Sequence, residues 1–110
     1  MLTLPIKRKW FNMILSGEKK EEYREMKQYY RVRFERCGLL KRTGFPVWEN
    51  KRWIRLRNGY SHASPSLQVL CSMRISKGNS DWGAEKGKVY YVLKIWEVKK
   101  EERNCEHDMA

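Results

Sequence analysis

Two spacings of apolar positions run along this chain, which has no internal repeat: one is helical, near the front, and one is that of strands, through the rest. Trp10, Phe11, Ile14 and Leu15 share one stripe of a helix across Lys9–Ser16, and Gly17 stands where a C-terminal cap belongs. Tyr30 and Phe34 repeat that spacing within Lys27–Cys37, and Gly38 ends the segment. The strand pattern begins at Leu2–Ile6, where Pro5 marks a sheet edge or a strand end. It returns at Lys20–Met26, where Glu22 and Arg24 share one face and Tyr23 takes the other. In Trp53–Arg57, Ile54 and Leu56 point one way and Trp53, Arg55 and Arg57 the other. Leu67–Lys77 alternates longest, with Leu67, Val69, Cys71, Met73 and Ile75 on one face. Val89–Val98 is apolar on both faces, with Val89, Tyr91, Leu93 and Ile95 on one and Tyr90, Val92, Trp96 and Val98 on the other, which predicts a covered, central strand.

Between these elements the chain is punctuated. Lys41–Lys51 holds Gly44, Pro46 and Asn50 and reads as a loop with room for a short strand at Phe45–Trp48. Asn58-Gly59 is a turn signal, Ser61–Ser66 is polar, and Gly78–Gly87 carries three glycines. No stretch is long enough for several crossover helices between parallel strands, so the strands are expected to pair antiparallel and to curl into a barrel that hides its edges. The expectation is one α+β or mostly-β domain over residues 1–99, of about five to six strands and two or so short helices, followed by a disordered charged tail at 100–110.

Charge sharpens that picture. Lys and Arg number 24 against 13 Asp and Glu, a net +11. Residues 1–60 hold 16 basic and 6 acidic side chains, whereas residues 61–110 hold 8 and 7, so the excess belongs to one part of the chain. An uneven excess points to a positive surface, whose usual partners are nucleic acid or an anionic membrane. No apolar run approaches the ~20 residues of a membrane span, and neither a lipidation motif nor a basic amphipathic helix is present, so RNA or a nucleotide is the expected partner. The bland alternative is that the excess only keeps a small protein soluble. Met1–Ile6 is too short for the apolar core of a secretory signal and runs into Lys7-Arg8-Lys9, so a cytoplasmic protein is expected. Cys37, Cys71 and Cys105 show no CxxC spacing, and His62 and His107 stand alone, so neither a metal site nor a cofactor is expected. The sequence leaves the oligomeric state open.

The candidate chemistry lies in Lys19, Glu22 and Arg24, at the turn from the first helix into an extended segment. Arg24 offers a planar, always charged fork suited to phosphate or a base edge. Glu22, on the same strand face, could hold that fork or accept from an exocyclic amino group. Lys19 could meet phosphate, or act as a general acid if burial lowers its pKa. Left in open water, the Glu22–Arg24 pair would be a solvated ion pair worth ~0–1 kcal/mol. Around it, Trp53, Arg55 and Arg57 share a strand face, Tyr60 follows the turn, and Arg31, Arg33 and Arg36 follow one another on the second helix. Aromatics beside arginines suit single strands, since bases stack while cations meet phosphate. Trp53 reads equally as a core aromatic, and Tyr30 and Tyr91 read better as core; His62 reads as a solvated loop residue.

Gly17-x-Lys19-x-x-Glu22-x-Arg24 resembles the GxKxxExR signature of the ASCH domain family. Leu4-Pro5-Ile6 with Phe11 and Ile14, Arg57-Asn58-Gly59-Tyr60, and Asp81-Trp82-Gly83-Ala84 are similar to its bacterial and phage members, so the likeness covers about residues 2–98. The resemblance implies a PUA-like fold, a small β-barrel with helices at its mouth, and a cleft lined by the signature residues that binds RNA or nucleotide-like ligands. One branch of the family resembles amidohydrolases of acylated cytidine, which use a threonine two residues before the motif arginine. Glu22 stands at that position here, so that activity does not carry over.

Two functional classes therefore stand side by side. One is a binding module using the basic face and Lys19, Glu22 and Arg24, with Arg31, Arg33, Trp53, Arg55, Arg57 and Tyr60 as further contacts. The other is a hydrolase acting on a modified nucleoside or RNA, with Lys19 and Glu22 as an acid/base pair, Arg24 stabilising negative charge, and activated water as nucleophile. A stand-alone structural or partner-binding domain is the blander third option.

Overall fold

The computed structural model describes residues 1–101. Its elements are β1 (Thr3–Pro5), α1 (Arg8–Leu15), β2 (Glu21–Arg24), α2 (Gln28–Arg36), β3 (Arg52–Arg57), β4 (Ser66–Lys77) and β5 (Val89–Lys100), with a single 3-10 turn at Ser80–Trp82. The five strands form one curled, half-barrel sheet in the order β1-β3-β4-β5-β2. It is a small α+β domain with two α-helices, and among the described residues no helix is long and apolar enough to cross a membrane.

Pairing is antiparallel for β3–β4, β4–β5 and β2–β5, as expected where no crossover helix joins consecutive strands. β1 departs from the expectation and runs parallel to β3, with Leu4 beside Leu56. The reason is the long connection: α1, β2 and α2 all intervene, which gives the chain room to return in the same direction.

Alternation sorts the side chains onto two faces. The inner face carries Leu4, Ile54, Leu56, Leu67, Val69, Cys71, Met73, Tyr91 and Leu93, and the helices close over it with Phe11, Ile14 and Phe34. Each of these positions is almost solvent-free, so truncating one, such as Ile54→Ala, costs about 2–5 kcal/mol. On the outer face a second, smaller cluster of Ala84, Tyr90 and Val92 packs with Tyr23 under the 78–88 loop. Gly78 makes that packing possible: a Cβ there would come within 2.6 Å of the Tyr23 ring.

Three expected features are corrected. Phe45–Trp48 forms no strand; Leu40 and Pro46 make an isolated bridge, and Phe45 and Trp48 are exposed. β5 is covered on both faces only over Tyr90–Leu93, while Trp96 and Val98 are exposed. The β4–β5 register also slips between Leu70/Cys71, opposite Glu97 and Ile95, so Trp96 is an extra residue and Val98 lies beside inward-facing Val69 instead of sharing a face with Trp96. Finally, Lys99 and Lys100 stay in the strand, paired with Gln68 and Leu67. Glu101 follows and is tied down by Arg55, Ser66 and Gln68. The rest of the expected tail, 102–110, lies outside the described residues.

Candidate functional site

β1 and β2 are the two free edges of the curled sheet, and the site sits where they approach each other. α1 stops at Leu15, and Gly17 takes φ +86°, a left-handed turn that a side chain would strain. The amide of Lys19 then donates to the Met13 carbonyl (2.9 Å), which folds the turn back on the helix and sends the chain into β2. In β2, Glu22 lies opposite Leu93 and Arg24 opposite Tyr91, so both point to the inner face. The period-2 expectation for this segment holds.

Lys19, Glu22 and Arg24 converge. Glu22 Oε1 lies 3.2 Å from Lys19 Nζ. Its Oε2 accepts from Arg24 Nε (3.1 Å) and from Arg24 Nη2. The same Nη2 donates to the Pro5 carbonyl at the end of β1 (2.8 Å), so a side chain spans the seam where no strand ladder does. All three residues are buried, Lys19 to 2% and Arg24 to 9% exposure. At that burial, separated groups would carry a heavy desolvation cost, and mutual pairing offsets it. One carboxylate serves two cations, so the cluster keeps a net positive charge.

Lys19 is further enclosed. Its Nζ donates to the Trp82 carbonyl and lies 5.1 Å from the Trp10 ring centre and 4.8 Å from that of Tyr23. Burial pulls its pKa below the ordinary lysine value, with the Glu22 carboxylate pulling the other way. Gly83 allows this closure, because at φ +105° a Cβ would sit 3.0 Å from the Trp10 ring.

In front of the cluster opens a cleft of about 610 Å³. Pro5, Ile6, Lys7 and Trp10 form one wall, Glu22 to Glu25 the floor, Tyr30 and Tyr90 two sides, and Asn58–Tyr60 with Trp82–Gly83 the rim. Lys19 is absent from these walls: it stands behind Trp10, Tyr23 and Glu22, where it positions the carboxylate. Glu25, the second acid on the floor, is already held by Lys27 (3.2 Å) and Lys88 (3.0 Å).

The other expected contacts are dispersed. Tyr60 joins the cleft rim and is 90% exposed. Arg31 pairs with Glu35 and donates to the Arg42 carbonyl. Arg33 lies over the Tyr29 ring at 3.5 Å. Arg55 is engaged on the outer face by both oxygens of Glu101, at 2.6 and 3.0 Å. Arg57 has a buried Nε that finds no partner among the described residues. Trp53 is exposed on the outer face of β3. Sequence reading missed Trp10 as a site wall, since its helical stripe reads as core; it missed Glu101 because it lies past the last patterned strand. The Pro5 carbonyl has no sequence signal of its own.

Fold and cluster together define a small α+β domain with a charged, aromatic-walled cleft at the seam of an incompletely closed sheet. No protein-family model, curated protein or solved structure matches this chain.

Proposed function

We propose that this is an ASCH-type, PUA-like domain that binds RNA or a nucleotide in the seam cleft. The observation that carries the reading is the surplus cation: Glu22 is shared by Lys19 and Arg24, so the buried cluster, which meets the cleft through Glu22 and Arg24 with Lys19 behind them, is short of one negative charge. An anionic ligand group supplies it. The aromatic walls of Trp10, Tyr30, Tyr60 and Trp82 suit a base, and about 610 Å³ is within the usual range for a small-ligand site. The GxKxxExR likeness and the chain's net +11 point the same way.

A residue-by-residue NMR titration with the four nucleoside monophosphates and a short single-stranded RNA tests this. Saturable shifts at Glu22–Glu25, Trp82 and Tyr60, lost in Arg24→Gln, are the expected result. Absence of any shift over those residues with every ligand would remove the reading.

Hydrolysis of a modified nucleoside is the second reading, favoured by the lowered pKa of Lys19 beside Glu22. In it Glu22, which lines the cleft floor with Arg24, takes a proton from the water that attacks the acyl carbon; as the acyl–nitrogen bond breaks, the departing nucleoside nitrogen receives a proton from the Lys19–Glu22 pair, and Arg24 stabilises the negative charge that develops. Turnover of acylated nucleosides that is no greater than that of Lys19→Ala sinks it.

A further inference from the structure

The helices cover the inner face of the sheet, and the 78–88 loop covers one end of the outer face. What stays open is the outer face around Trp53 on β3 and Trp96 on β5, with Leu70 of β4 between their strands. Trp53 is 37% exposed and Trp96 46%. Trp96 is no loose surface ring: its Nε1 donates to Ser72 Oγ (2.9 Å), and the bulge at this position sets it outward. Lys51 Nζ and Lys94 Nζ each lie 4.1 Å from its ring centre, so the two ammoniums stand no farther apart than twice that distance. Both lysines are exposed. Glu97, across from Leu70, stands on the same face in one row with Leu70 and Trp53, so the patch holds one carboxylate among its cations.

Two like charges gathered on one fixed ring repel, and the quadrupole of the indole offsets that only in part. A polyanion that bridges them removes the repulsion. On the same face Trp53 presents an apolar ring over which no lysine lies among the described residues. Cations that meet phosphate next to an open aromatic make the standard single-strand platform.

We infer that this outer face, with Lys51, Trp53, Lys94 and Trp96, is a second contact surface for single-stranded nucleic acid, separate from the seam cleft. It rests on the nucleotide-binding reading above. The cleft takes one nucleotide, and the sheet's back holds the flanking strand, with phosphates at Lys51 and Lys94 and a base on Trp53. The surface replaces the one expected from Trp53, Arg55 and Arg57, because Arg55 is occupied by Glu101.

The test compares a nucleoside monophosphate with a twelve-nucleotide single-stranded RNA on the wild type, on Lys51→Ala/Lys94→Ala and on Trp53→Ala. All three changes are at exposed positions, and circular dichroism verifies folding. The expected result is about tenfold weaker RNA binding for the double variant, a salt slope shallower by about 1.4 for two lost phosphate contacts, and unchanged monophosphate binding. Trp53→Ala should lose about tenfold more of its RNA affinity than of its monophosphate affinity. Unchanged RNA affinity and slope in the double variant overturn the inference while leaving the cleft reading intact. Loss of monophosphate binding in the wild type would instead defeat the cleft reading. Trp53 and Trp96 indole signals that move with polyglutamate but not with RNA overturn it in favour of an acidic protein partner.

Discussion

Of the carboxylate–arginine clusters among the described residues, two invite comparison, Glu101 with Arg55 and Glu22 with Arg24, and of these two it is the second that opens onto the seam cleft. Glu101 on the outer face accepts twice from Arg55 and once each from Ser66 and Gln68, so it closes the end of β5 onto β4 and β3. Its bonding capacity is filled by neutral donors and one cation. Glu22 at the seam is shared by two cations, and the cluster opens onto a cleft of about 610 Å³. The pairing chemistry is alike; the charge balance and the concavity differ. An arginine beside a glutamate is therefore weak evidence for a site, and an unbalanced pair at the floor of a cavity is better evidence.

The largest expected effect comes from breaking the unbalanced cluster. Glu22→Gln leaves Lys19 and Arg24 buried together without a counter-charge, and should cost about 3 kcal/mol or more of stability in urea unfolding. A loss below about 1 kcal/mol would mean that water reaches the cluster and screens its charges. The balanced cluster should yield less. Glu101→Gln should cost about 1–2 kcal/mol at pH 7, because Ser66 and Gln68 still find an acceptor there. Its pH dependence carries the sign. The partners of Glu101, Arg55 first, hold its carboxyl down to about 2, below the ordinary 4.5. The stabilisation is present above the unfolded value and is lost as pH falls toward about 2, so the gap to Glu101→Gln should close over that interval.

Lys19 sharpens the contrast, since its burial opposes its own charge. Its folded pKa lies below the ordinary 10.5, with desolvation as the main cause. Between those two values the unfolded chain binds more protons, so stability contributed by this residue rises with pH across the window. Wild type should thus gain on Lys19→Met as the pH is raised toward 10.5, from a difference of about 1 kcal/mol at neutral pH. A difference that stays flat with pH would show that the ammonium is not disfavoured by its surroundings.

How far the chain's pattern revealed these clusters follows from what each depends on. Period 2 alone put Glu22 and Arg24 on one face, and the helical stripe ending at Gly17 placed Lys19 beside them, so the seam cluster was legible locally. Which groups close over it was not, because Pro5, Trp10 and Trp82 arrive from distant segments and Pro5 takes part through its carbonyl. The bulge at Trp96 was invisible for a related reason: an extra residue is defined only by the strand opposite, and it moved Val98 to the other face. Glu101 follows two lysines at the end of the apolar pattern, and composition there favours a solvated tail; its anchors lie 33 to 46 residues earlier. Parallel pairing of β1 likewise depends on the return path through α1, β2 and α2, not on any residue in β1.

The smallest expected effect on stability belongs to Tyr60, and it separates the two clusters by function. Tyr60 is 90% exposed at the cleft rim and follows Gly59, whose φ of +123° holds the turn. Removing a side chain that buries almost nothing should leave stability within about 0.5 kcal/mol of wild type. If the ring stacks on a bound base, Tyr60→Ala should still weaken nucleoside monophosphate binding by ~1–3 kcal/mol, whereas Tyr60→Phe should keep most of the affinity. Glu101→Gln, remote on the outer face, should leave that affinity unchanged once folding is accounted for. Equal losses from Tyr60→Ala and Glu101→Gln would mean that binding follows global stability, and the distinction between a structural and a ligand-facing cluster would fall.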